Sequence, residues 1–134
     1  MNWIKITPDK EKAKSMLSMV ETTEKMISTI DEKMFTSNIV AEYYNVIRQL
    51  MTAIMLLDGF KTTGEGAHKS LILYLNNNYE EFSEYEINLI DELRITRNKI
   101  EYDGFFVKYD YVQRKKEHII SVISKLKQTI VKRL

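Results

Sequence analysis

The sequence predicts an all-α fold, an antiparallel bundle of about five helices forming one domain over residues 1–134. Three observations carry that expectation. One proline and four glycines punctuate the whole chain, too few for the many turns of a strand-rich architecture. Apolar residues recur at spacings of three and four over long stretches, the period of a helix with one buried side. Residues that start and stop helices divide those stretches into five, and a chain of 134 residues buries one core rather than two.

Thr7-Pro8-Asp9 reads as the first start: a threonine cap, proline at the first helical position and an acid in the first turn. Ala13, Met16, Leu17, Val20, Ile27, Ile30 and Met34 then keep helical spacing, which places the helix end near Asp31. A second start lies between Thr36 and Asn38. From there Ile39, Val40, Tyr43, Ile47, Leu50, Met51, Ile54 and Leu57 form an apolar arc so wide that this helix is expected at the centre of the bundle, stopped by Gly59. The segment "KTTGEGAH" has two glycines and reads as the most flexible, leading into a short helix over about residues 65–75, and "NNNYEEF" as a polar connection. Ser83 with Glu86 three residues on is a capping box that opens a fourth helix, reaching about Glu101 and stopping before Gly104. After the loop "YDGFFVKY", Asp110 is the expected cap of a last helix with Gln113 at the reciprocal position and Ile119, Ile123, Leu126 and Ile130 on its buried side.

Bulk properties narrow the chemistry. A formal net charge of +1 gives no general attraction to nucleic acid or an anionic membrane, so any basic site is local. With no cysteine, disulfides, thiolate metal sites and cysteine nucleophiles are excluded together, which fits a reducing cytoplasm. No apolar run approaches the roughly 18 residues of a membrane span, and "MNWIKITPDK" lacks the apolar centre of a signal peptide. A cytoplasmic protein is the expectation.

One residue stands out of pattern. Leu89, Ile90, Leu93 and Ile100 cluster on one side of the fourth helix, and Arg97 projects among them, four residues after Leu93 and three before Ile100. Arg94 and Glu101 border the same stripe. An unpaired buried guanidinium costs several kcal/mol, on the order of what a whole small domain has to spare, so Arg97 requires a partner: an internal carboxylate, a bound anion or a second subunit. Asp91, Glu92, Glu101 and Asp103 are near in sequence, and Glu42 or Asp58 can arrive from the second helix. Phosphate is the sharper alternative, because its oxygens match the planar fork of arginine.

The residues around Arg97 resemble a known family. "AEYYNVIRQLMTAIMLLDGF", "GAHKSLILYL" and "LIDELRITRNKIEYDGFFVKYD" are similar, in order and spacing, to the central helix, short third helix and signature segment of the HEPN family (higher eukaryotes and prokaryotes nucleotide-binding). The resemblance covers most of the chain. It implies a helical bundle that dimerises with two copies of the signature facing across a cleft. In active members the signature is an arginine, often followed by asparagine, then a histidine after a gap of four to six residues; these members are metal-independent ribonucleases, many of them toxins or antiviral effectors. Others are partners of small nucleotidyltransferases, and some have lost catalysis. Arg97 matches the signature arginine and Asn98 the polar residue after it, while Tyr102 stands where the histidine belongs. Some nucleotidyltransferase-paired members carry a tyrosine two residues further on, modified with adenylate; here that position is Gly104.

The departure at Tyr102 bears on catalysis. RNA cleavage of this type needs a group that exchanges protons near neutral pH, which suits histidine; a tyrosine with its reference pKa near 10 is a poor base at pH 7. The first expectation is therefore a homodimer that binds a nucleotide or RNA phosphate with weak or absent catalysis, through Arg97, Asn98 and Tyr102, with Arg94 and Lys99 alongside. The second is an endoribonuclease in which Arg97 and Tyr102 are catalytic. The third is a non-catalytic partner module of a nucleotidyltransferase, with Arg97 in a buried ion pair. No metal ligand set and no cofactor motif is apparent.

Other signals read as structure. His68 opens the third helix and His118 lies on the last, and both are expected in structural or surface roles. Met16, Met19, Met26, Met34, Met51 and Met55 are expected to fill the core, and Tyr43, Tyr44, Tyr74, Tyr79 and Tyr85 to pack beside it. Tyr102, Phe105, Phe106, Tyr109 and Tyr111 are more aromatics than a short loop needs and suggest a dimer or ligand surface. Arg114, Lys115, Lys116, Lys125, Lys127, Lys132 and Arg133 read as a solvated face, with an RNA-tracking stripe as the alternative.

Overall fold

A computed structural model describes residues 2–134. Five helices form an all-α bundle, with one small addition that the sequence did not announce. The order is β1 (Trp3–Lys5), α1 (Lys10–Thr29), α2 (Thr36–Asp58), β2 (Phe60–Thr62), α3 (Ala67–Asn78), α4 (Glu84–Asp103) and α5 (Tyr109–Val131).

The wide apolar arc of α2 makes it the hub: α1, α3, α4 and α5 all pack on it. Tyr44, Ile47, Leu50, Ile54 and Met55 are sealed from solvent at its centre, against Ile90 and Leu93 of α4 and Ile119 and Leu126 of α5. The helix ends at Gly59, whose φ of +83° suits glycine alone. A side chain there would also collide, since its Cβ would lie 3.0 Å from the Ile6 carbonyl oxygen and 3.1 Å from the Pro8 ring.

That close approach accounts for two departures from expectation. The N-terminal strand β1 runs antiparallel to β2, with Trp3 opposite Thr62 and Lys5 opposite Phe60, so the start of the flexible-looking segment is ordered strand. The chain then stays pinned to the end of α2, the Ile6 N–H donating to the Gly59 carbonyl at 2.8 Å and the Asp9 N–H to that of Leu56 at 3.0 Å. Helix geometry cannot begin until these bonds are made. The cap is therefore Asp9, whose carboxylate accepts from the Lys12 N–H at 3.0 Å, rather than Thr7.

The fourth helix follows its sequence signal. Ser83 Oγ accepts from the Glu86 N–H at 3.1 Å and Glu86 Oε1 from the Ser83 N–H at 2.8 Å, completing the capping box. Its stop is Gly104, at φ +62°. The loop beyond is fastened to α2 by the Val107 N–H, which donates to Ser37 Oγ at 2.7 Å. The last helix consequently starts at Tyr109, with Lys108 at the cap position; Asp110 is not the cap but lies in the first turn, where it pairs with Arg114 at 3.5 Å. The core expectation fails for three of the six methionines. Met51 and Met55 are buried and Met16 is half-buried, while Met19 and Met26 are exposed because α1 turns only Ala13 and Val20 fully inward, and Met34 is exposed in the turn after α1.

Candidate functional site

On α4 the helical spacing does place Arg97 beside the core, half-buried, but none of the expected carboxylates reaches it. Asp91 is held by Lys69 at 3.0 Å and by Arg94 Nε at 2.9 Å. Glu92 accepts from the Tyr111 hydroxyl at 2.6 Å. Asp58 accepts from the hydroxyls of Tyr74 and Tyr79 and from Arg133. Glu101 and Asp103 face solvent. Among the described residues, the only hydrogen bond from the Arg97 guanidinium is a long one, 3.3 Å, to the side-chain oxygen of Asn98, and its Nε–H is buried without an acceptor.

Arg97 is not alone in this. On α2, Arg48 also buries an Nε–H without an acceptor, and among the described residues it has no ion pair or side-chain hydrogen bond. The hydroxyl of Tyr44, one turn earlier on the same helix, is buried without a partner as well. His68, at the second position of α3, completes the group, its ring centroid 6.0 Å from that of Tyr44. Three helices thus deliver three arginines, a histidine and a tyrosine to one place. Gly66 ahead of α3 gives that helix no side-chain cap, so its first-turn amides add positive potential on the His68 side.

The electrostatics of this group are one-sided. The imidazole of His68 has its pKa lowered below 6.5, first by burial and then by the charges of Arg48, Arg97 and Arg94. Burial pushes the Tyr44 hydroxyl up to about 12, although Arg48, Arg94 and Arg97 pull the other way. Around neutral pH, His68 is a neutral imidazole and Tyr44 an un-ionised phenol, and the fixed charges are cationic. For Asp91, burial opposes ionisation, yet the hydrogen bonds from Lys69 and Arg94 outweigh it and hold its carboxyl below the usual range. Each buried N–H without an acceptor costs about 1–3 kcal/mol, and like charges so placed repel. A set of donors held in this state has the chemistry of an anion receptor. At the edge of the group the side chains of Lys69 and Asp91 are 46% and 26% exposed.

The remaining sequence candidates fall in two places. Arg94 borders the cluster through Asp91, and Asn98 braces Arg97. Lys99 instead lies outside, 5.8 Å from the centroid of the Phe105 ring. Tyr102 is 78% exposed, since five residues along a helix turn it roughly 140° away from Arg97. With Phe106, 86% exposed, and Phe105, it forms an aromatic surface at the end of α4. His118 is exposed and edge-on to Tyr85 at 5.1 Å.

The basic residues of α5 and of the turn after it are largely spent within the fold: Lys116 on Glu32, Lys125 on Glu86, Lys127 on Glu24 and Arg133 on Asp58. No group of three or more His, Asp or Glu side chains among the described residues is placed to hold a metal ion, and no described helix is long and apolar enough to cross a membrane. The chain matches no protein-family model, no curated protein and no solved structure.

Proposed function

We propose that this protein is a HEPN-like domain that binds a phosphate group of a nucleotide or RNA at the cluster of Arg48, Arg94 and Arg97, with His68 and Tyr44 as its neutral hydrogen-bonding wall. The observation that carries this reading is the pair of buried guanidinium N–H groups, on Arg48 and Arg97, that no protein acceptor meets. A phosphate supplies both the missing acceptors and the missing charge. Arg94 is already paired with Asp91, so it contributes field more than direct bonds. Two copies meet through the exposed aromatic surface of Tyr102, Phe105 and Phe106, and catalysis at the signature position is weak or absent because Tyr102 faces away from Arg97. Titrating a fluorescent RNA oligonucleotide and a nucleotide into wild type and Arg97→Ala tests the assignment. Binding that weakens at least tenfold in the variant supports it; equal affinity removes Arg97 from the site.

A second reading, metal-independent endoribonuclease, is favoured by one specific observation: a histidine does stand in the cluster, although it comes from α3 rather than from the signature. Below its ordinary pKa, His68 is unprotonated at pH 7, as a base must be. It would take the proton of a ribose 2′-hydroxyl as the 2′-oxygen attacks phosphorus, while the 5′-oxygen leaves and collects a proton from water. Cleavage of RNA in the presence of a chelator, lost in His68→Ala, is the expected outcome on this reading. Intact RNA across pH 6–9 eliminates it.

A further inference from the structure

The charge balance of the cluster goes one step further than phosphate binding, on which this step rests. Arg48, Arg94, Arg97 and Lys69 share a single carboxylate, Asp91, and that carboxylate is already occupied by Lys69 and Arg94. The two guanidiniums without a carboxylate, Arg48 and Arg97, therefore face an occupant with two positive charges. Three buried donors lack an acceptor: the Nε–H of Arg48, the Nε–H of Arg97 and the hydroxyl of Tyr44. An internal phosphodiester brings one negative charge and two non-bridging oxygens. A terminal phosphate brings a charge of about −1.5 to −2 at pH 7 and three oxygens.

We infer that the site selects a terminal phosphomonoester, as carried by a nucleoside monophosphate or by a phosphorylated RNA end, over the internal phosphodiesters of a chain. Two guanidinium forks neutralise the dianion and the Tyr44 hydroxyl meets a third oxygen. Neutral His68 leaves the arginines uncontested and offers one ring N–H and one acceptor nitrogen, enough to hold a neighbouring ribose hydroxyl.

The test uses matched ligands on the full chain. RNA oligonucleotides of one sequence, bearing a 5′-phosphate, a 3′-phosphate or hydroxyls at both ends, are compared by fluorescence anisotropy, with AMP and adenosine compared by calorimetry. A terminal phosphate at one of the two RNA ends is expected to tighten binding at least tenfold, AMP to bind where adenosine does not, and inorganic phosphate to compete. Selectivity for AMP without selectivity among the RNAs assigns the site to free nucleotides; the reverse assigns it to RNA ends. Arg48→Met is expected to erase the preference, and Arg48→Lys, which keeps the charge but not the fork, to reduce it, so that a failure to fold in one variant leaves the other. Equal binding of all three RNAs together with equal binding of AMP and adenosine overturns the inference. It leaves phosphate binding standing if Arg97→Ala still weakens RNA binding, whereas no binding of any of these ligands removes the broader reading as well.

Discussion

Arg97 and Arg48 make the same point from two helices. Each is a permanent cation set beside the core with its Nε–H unmet, so each costs stability in the unliganded protein. Replacing such a residue with an apolar one of similar length is expected to leave stability unchanged or raise it by about 1 kcal/mol, the usual exchange between a strained site and its function. Arg48→Met should therefore show a urea midpoint equal to or above wild type while losing the preference for a terminal phosphate; a midpoint far below wild type would mean that Arg48 is structural. The same substitution removes one of the charges that depress His68. An NMR titration should find the His68 midpoint below 6.5 in wild type and higher in Arg48→Met. The sign for stability follows: an unfolded chain binds the His68 proton more readily, so this group favours the fold above about pH 6.5 and the contribution is lost as pH falls below it. Arg97 was legible in the sequence because a charge interrupts an apolar stripe of moderate width. Arg48 obeys the same rule, but the stripe on α2 runs almost all the way round, and a lone arginine there passes for its polar edge. His68 was not legible at all, because what places it near Arg97 is the packing of α3 beside α4.

At the scale of elements, local signals decide helix starts only where the backbone is free to follow them. The Ser83 box is free, and it forms as read. Burial works against the charge of Glu86, but the Ser83 N–H and Lys125 outweigh it and lower its pKa. Its stabilisation is complete above the unfolded value of 4.5 and declines as pH falls through the lower folded value. Ser83→Ala should cost about 1 kcal/mol at pH 7, in the range of lost N-caps. In Glu86→Gln the fall in stability between pH 5 and 3 should be shallower than in wild type; identical slopes in a denaturant series would mean that the box carries no pH dependence. The other starts are overruled from a distance. Thr7-Pro8-Asp9 has good helix-start chemistry, but bonds from Ile6 and Asp9 to the end of α2 hold the chain extended until Asp9. Asp110 is displaced in the same way once Val107 is tied to Ser37. The strands Trp3–Lys5 and Phe60–Thr62 were invisible because three residues are too few to display alternation, and each is stable only through the other.

For the whole molecule, α2 is both the core and the carrier of half the candidate site. Around it Lys116, Lys125, Lys127 and Arg133, from α5 and the residues after it, pair with acids on α1, α2 and α4 and on the turn after α1, so among the described residues they do not add up to a free basic stripe. Three large aromatic side chains are left in solvent at the end of α4 and its loop: Tyr102, Phe105 and Phe106. None of them contributes to the core, and exposed aromatic groups of this kind characterise contact surfaces. If two copies meet there, Phe106→Glu places two like charges at the contact, and sedimentation at micromolar concentration should shift from dimer to monomer with the helical circular dichroism signal unchanged. Ligand affinity then separates two arrangements. A cleft shared between copies loses affinity on dissociation, because the second set of arginines departs; a site complete within one copy keeps it. A wild-type protein that sediments as a monomer at every concentration removes the shared cleft and leaves Arg48, Arg97, His68 and Tyr44 as a self-contained receptor.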